Sequence, residues 1–280
     1  MTHPAIDQQT MKRLAFIRLL FARGVDDSKL PEPLAFTAVL PLHDAVELFL
    51  ILAGEHLGAS LDDRIQFMKY WTELHPNKLQ NGVDLSGKVA MDRLNRLRNG
   101  FKHAGTMPGI AAIEQARADV ANFFEDNTPR VFGISFAGID MADLVPQPDV
   151  RAKIRRARRI FTDGDVLYAA GLMSATFQLL TSNQTFVFGH TIGREAALES
   201  HVKDAFRSRA ETGNRSRGDI GKIAKSIGST HEAVRQLQDA AKVMSLGIDF
   251  RLYRRFKALT PFSFLAEQKV PISRPPWVMT

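Results

Sequence analysis

Between positions 95 and 105 the chain gathers Asn95, Arg98, Asn99, Lys102 and His103 into one short stretch. Arginine supplies a rigid fork of donors that matches a phosphate, and histidine takes or gives a proton near neutral pH. Such a set suits chemistry at a phosphate, with one group moving the proton and another holding developing negative charge. On a helix turning about 100° per residue, with Arg98 at zero, Lys102 falls near 40°, Asn95 near 60°, Asn99 near 100° and His103 near 140°. Leu94, Leu97 and Phe101 gather near 260–320°. One side is core and the other is a continuous polar sector. A plain solvated face has the same outline; the choice of groups is what singles this one out. Arg98 and His103 stand about 7.5 Å apart along an ideal axis, too far to grip one small atom unaided. Long arginine reach, loosening at Gly100, or a second copy of the helix would bring them together. A two-fold dimer through this face would pool two arginines and two histidines in one cleft.

The elements that must position this stretch are helical. Residues 10–22 alternate apolar and basic groups at helix spacing, and 34–58 is apolar nearly all round from Ala45 to Ala53, with Gly58 as its stop. Residues 61–74 read as another amphipathic helix ending at His75-Pro76. The segment 86–103 reads as a helix with Ser86 at its cap, and 109–125 as the last of a bundle. Residues 127–148, with Pro, Gly and short β-like runs, read as an ordered connector. Helices then resume over 149–161, 164–181, about 190–210 and 218–246. The sequence predicts an all-α fold: a helical bundle over 1–126, the connector, a basic C-terminal helical domain over 149–260, and an extended tail over 261–280.

Composition narrows the chemistry. The 280 residues are 45% hydrophobic and 24% charged, with no unbroken apolar run of membrane-spanning length and no secretory leader pattern, which predicts a cytoplasmic protein with no membrane partner. Cysteine is absent, so disulfides, thiolate nucleophiles and iron–sulfur ligation are excluded. The net charge of +7 is uneven: residues 1–147 hold 15 Lys and Arg against 18 Asp and Glu, and residues 148–280 hold 22 against 12. A basic second half attracts polyanions, nucleic acid first.

The stretch "RNGFKH" fits the Arg-x(4–6)-His signature of the HEPN superfamily, with polar Asn99 directly after the arginine. "LHDAVELFLILAGEHLG" also resembles the HEPN helix that packs beside the motif and carries acids, here Asp44 and Glu47. The resemblance covers roughly residues 35–125. It implies a metal-independent endoribonuclease of a toxin or antiphage defence system, without cofactor, acting on RNA as a homodimer, with an antitoxin or defence-system partner. Carried over, His103 assists proton transfer at the ribose 2′-hydroxyl or the leaving oxygen, and Arg98 stabilises the phosphorane-like transition state. Asn99 positions phosphate or a side chain, and Lys102 adds charge. Asp44 and Glu47, on one helix face, are expected as buried acids that hold Arg98 or His103, or else form an internal salt bridge. Gly105 stands where one HEPN branch has tyrosine, so silencing by modification at that site is not expected.

Four other signals compete. "GVDLSGKV" (82–89) approaches a P-loop, but Val89 replaces the magnesium-holding hydroxyl and no strand precedes it. "IAKSIGSTHEAV" (223–234) has the spacing of a helix-turn-helix at Ala224, Gly228 and Val234, with Arg235 exposed, which offers a non-catalytic scaffold or DNA-binding regulator as the alternative reading. The run 151–161 places Arg151, Arg155, Arg158 and Arg159 near one stripe with Arg156 beside it; it suits either an RNA-backbone grip or a solvated helix. In 249–257, Arg254 and Arg255 lie among Phe250, Tyr253 and Phe256, where arginines can reach phosphate or bases. No histidine pair has a metal spacing such as H-E-x-x-H, and His190, His201 and His231 read as surface or core residues.

Overall fold

A computed structural model describes residues 6–62, 64–182, 237, 240–241 and 243–261. The fold is all-α, with no strand among the described residues. The chain divides into two compact units, Met1–Pro146 and Gln147–Thr280.

In the first unit α1 (Gln8–Asp27) opens on Asp7, whose carboxylate accepts from the Thr10 amide at 2.7 Å and satisfies one of the free amides of a first turn. It turns Leu14, Ala15 and Ile17 into the core. Near its end, a Cβ on Gly24 would lie 2.7 Å from the Leu42 side chain, so the absence of a side chain there lets α1 and α2 (Val39–Leu57) touch. Helix α2 runs through the middle: Leu42, Ala45, Val46, Phe49, Leu50 and Ala53 are fully buried. With the 3-10 turn before it, it forms the one segment among the described residues, 34–57, that is long and apolar enough to cross a membrane. Half of its apolar window lies inside the bundle, as in a core helix.

Phenylalanines join α2 to α5 (Ile110–Phe132). Phe49 meets Phe123, Phe124 and Phe132 edge-on at 5.4–5.5 Å, and Phe124 stacks on Phe136 at 4.3 Å. Removing one such ring costs about 3–5 kcal/mol.

Four local expectations change. The helix expected over 61–74 is reduced to a 3-10 turn, Phe67–Lys69, and one helical turn, α3 (Tyr70–Glu73). The Asp62 carboxylate accepts from the Arg64 amide at 2.8 Å, a local turn that competes with helix. Ser86 does not cap the next helix, α4 (Lys88–Ala104), whose flanking residue is Gly87. Its hydroxyl instead bonds Asp126 at 2.9 Å, its amide bonds Asn127 at 2.9 Å, and its carbonyl accepts from Trp71 at 3.1 Å. Next, α5 does not stop near 125 but passes through Pro129 to Phe132. Proline removes the amide that would bond the Glu125 carbonyl, and Glu125 and Pro129 are both exposed residues. Residues 133–146 form 3-10 turns, not β-like runs, and lie against α1, where Arg18 Nη1 donates to the carbonyls of Ala137 and Ile139.

The second unit holds α6 (Pro148–Thr162), α7 (Val166–Ser182) and α8 (Phe250–Leu259). Helix α6 buries Val150 and Ala157, and α7 buries Ala169, Leu172 and Ala175. On α8 the Asp249 side chain caps the amides of Arg251 and Leu252, and Tyr253 and Phe256 pack on Phe177 of α7 at 5.8 and 5.2 Å. The helix expected over about 190–210, the 223–234 segment with Arg235, His190, His201, His231 and the tail beyond Pro261 lie outside the described residues. So does most of the helix expected over 218–246.

Candidate active site

Helix α4 is held from both sides. Met91 and Leu94 are buried, and Arg93 Nη2 bonds Asp119 of α5 at 2.9 Å. Gly105, at φ 65°, ends the helix in the left-handed conformation that glycine adopts without strain, and the Thr106 amide returns to the Gly100 carbonyl at 3.0 Å. The last turn therefore closes directly after the Arg98–His103 segment. Lys102 and His103 lie in that turn, where positive charge is favoured by the helix dipole.

Arg98 and His103 meet within one copy of the chain. Arg98 Nη1 lies 3.4 Å from His103 Nε2 and donates to Asn99 Oδ1 at 3.1 Å. The length of the arginine side chain bridges the angular gap that an ideal helix leaves. Guanidinium N–H only donates, so a hydrogen bond between the two uses a lone pair at His103 Nε2. His103, Asn99 and Lys102 are exposed, while Arg98 is half-buried and its Nε is enclosed without an acceptor.

The chain of contacts continues to α2 through residues that sequence reasoning did not assign. Asn99 Nδ2 donates to Asn95 Oδ1 at 3.4 Å, and His43 Nε2 lies 3.2 Å from the same oxygen. His43 is only 2% exposed and stacks on Phe67 at 4.5 Å. The ordered set is therefore His43, Asn95, Asn99, Arg98 and His103. The available signal was His43 itself, a titratable ring in an otherwise apolar helix stretch, four residues before Glu47.

Asp44 and Glu47 depart from expectation. They are not buried: their side chains are 54% and 44% exposed. Neither bonds Arg98 or His103. Both sit instead beside His43 Nδ1, at 3.9 Å for Asp44 and 3.7 Å for Glu47. Glu47, one helical turn on, shares the His43 side of α2, and Asp44 is its neighbour in the chain. Burial pushes the His43 pKa below the ordinary imidazole value; Glu47, the Asn95 bond and Asp44 pull it back up, and Arg98 pushes it down. Burial, then Glu47, raises the Tyr70 hydroxyl.

On the other side of α4, a groove of about 350 Å³ between α4 and α5 is lined by Leu94, Leu97, Pro108, Ala112 and Ala116. It does not include Arg98 or His103.

In the second unit Arg155, Arg156, Arg158 and Arg159 are exposed along α6, and Arg151 is half-buried. Ile154 and Ile160 lie half-buried on the opposite side with Ala157. Arg254 and Arg255 are exposed on α8, whose Tyr253 and Phe256 are taken up by packing on α7.

No family model, curated protein or solved structure compared with the chain matches it.

Proposed function

We propose that the chain is an HEPN-type endoribonuclease of a toxin or antiphage defence system, cleaving RNA without metal, as a homodimer, through Arg98 and His103. The observation that carries this reading is the approach of the two side chains on an exposed helix face, the imidazole Nε2 beside the guanidinium. In the reaction His103 takes the proton of the ribose 2′-hydroxyl, and the 2′-oxygen attacks phosphorus. The P–O5′ bond breaks, leaving a 2′,3′-cyclic phosphate and a 5′-hydroxyl after protonation of the departing oxygen. A second His103 from the partner copy, in its protonated imidazolium form, supplies that proton. Arg98 carries the charge that builds on the phosphoryl oxygens. DNA lacks the nucleophile and is not cut. The arginines of α6 and α8 supply a sequence-independent hold on the RNA backbone.

The test is incubation of the purified chain with labelled RNA in EDTA, followed by end-group analysis. Cleavage to 2′,3′-cyclic phosphate ends, lost in Arg98→Ala and His103→Ala, supports the reading. Intact RNA across a range of sequences and salt, or cleavage that neither substitution changes, overturns it in favour of a non-catalytic nucleic-acid-binding or scaffold protein.

A further inference from the structure

The buried ring of His43 carries an unmet requirement. Its Nδ1 is enclosed and has no hydrogen-bond partner, yet it points at two carboxylates. The opposite nitrogen explains what Nδ1 can offer. Asn95 Oδ1 already accepts from the Asn99 amide and so faces His43 Nε2 as an acceptor, which places the ring proton on Nε2. Nδ1 is left with a bare lone pair. Three acceptors, His43 Nδ1, an Asp44 oxygen and a Glu47 oxygen, thus converge within 4.8 Å of one another with no donor among them.

We propose that His43, Asp44 and Glu47 form a binding site for a first-row transition dication of the zinc class, with water completing its coordination. Imidazole nitrogen with two carboxylate oxygens is a donor set that zinc accepts. His43 and Glu47 are one helical turn apart, the spacing at which two side chains of a helix reach a common point. Ligand atoms around a tetrahedral ion at about 2.1 Å stand about 3.4 Å apart. The Nδ1-to-oxygen separations of 3.7 and 3.9 Å need only a small closure, which solvent-facing carboxylates can make by rotation. Their exposure also gives the ion its path in. The Asn95 carbonyl, bonded to the far nitrogen of the ligating ring, is the partner that fixes tautomer and orientation in histidine metal sites. The two carboxylates more than offset Arg98, which is tied to Asn99 on the Nε2 side of the ring and is the one cation among the described residues that acts on His43.

This inference goes beyond the cleavage reading and does not depend on it, since neither Arg98 nor His103 is among the ligands and the ion takes no part in bond breaking. Its effect is on position. Loading Nδ1 makes the Nε2–H a stronger donor to Asn95, and Asn95 in turn holds Asn99, the residue on which Arg98 rests.

The experiment titrates the tag-free, chelator-stripped full chain with Zn²⁺ by calorimetry, and with Co²⁺ by visible absorption. One equivalent should bind and raise the melting temperature, as any ligand selective for the folded state does. Asp44→Asn and Glu47→Gln change only exposed side chains and should leave the metal-free melting temperature unaltered while weakening binding at least ten-fold. Asn95→Ala should weaken it about 10–100-fold through the ring it supports. Absence of a stoichiometric site, or equal affinity in the wild type and both acid variants, overturns the proposal. RNA cleavage in EDTA without a metal site would sink this inference alone; a metal site in a chain that leaves RNA intact would sink only the nuclease reading.

Discussion

Arg98 Nη1 rests 3.4 Å from His103 Nε2, although their α-carbons begin on sides of the helix that ideal geometry separates by about 140°. Each copy of the chain therefore assembles its own arginine–histidine pair. On the nuclease reading, Arg98→Ala and His103→Ala should each lower RNA cleavage by about 10²–10⁴-fold, the range for a positioned proton carrier or charge stabiliser. For His103→Ala the melting temperature should stay within a degree or two, because the ring is exposed. Arg98→Lys should recover little, since a point charge cannot reach both Asn99 and the imidazole as the fork does. Rates with wild-type melting curves check all three.

Asn95 links the two helices of the site, and its carbonyl serves a ring that is almost wholly buried. Asn95→Ala leaves the His43 N–H without an acceptor and should destabilise the fold by about 1–3 kcal/mol. Urea unfolding should show a lower midpoint with an unchanged slope.

How much of this was legible follows from range. The polar sector of α4 and the buried run of α2 could be read directly, because each is periodicity within one helix. The contact between His43 and Asn95 joins residues 52 positions apart, and no local spacing encodes it. Ser86 shows the reverse error: a serine ahead of an apolar-periodic run satisfies the capping rule, yet Asp126, Asn127 and Trp71 claim its three polar groups. The same holds for Asp44 and Glu47, whose side of α2 could not be told from the acid pattern alone.

The Ser86 arrangement has its own consequence for stability. Ser86→Ala should cost about 0.5–1.5 kcal/mol through the lost bond to Asp126 and the longer one accepted from Asn127 Nδ2. Asp126→Ala should cost little more when combined with it, since the Ser86–Asp126 bond is already gone. A lost cap would instead leave the two effects additive, so a double-mutant cycle read by denaturant midpoints decides between them.

Acid should weaken the fold through His43. Its folded pKa lies below the ordinary imidazole value of about 6.5, because burial disfavours the charged ring. Above that ordinary value both states are neutral and pH has no effect through this group. Below it the unfolded chain binds a proton that the folded chain refuses, so stability falls until the folded pKa is passed. Denaturant midpoints from pH 8 to 5 in EDTA should decline, and His43→Gln should flatten that part of the curve. Direct titration of the His43 ring by NMR should give a midpoint below that of a histidine in a peptide.

Gly105 sets where the site helix ends. At φ 65° an alanine is strained by about 1–2 kcal/mol, whereas asparagine tolerates the conformation. Gly105→Ala should lower stability by that amount and Gly105→Asn by less. Their melting temperatures give the comparison.

The passage of α5 through Pro129 bears on how this protein can be handled in pieces. A fragment ended near residue 126 would sever that helix in mid-course and strip Val131, Phe132, Phe136 and Ile139, all buried, from the core they complete. A fragment ended at 146 keeps them, together with the carbonyls that Arg18 holds. The shorter piece should be recovered as aggregate, and the longer one should carry the whole α2–α4 polar chain into solution for separate study.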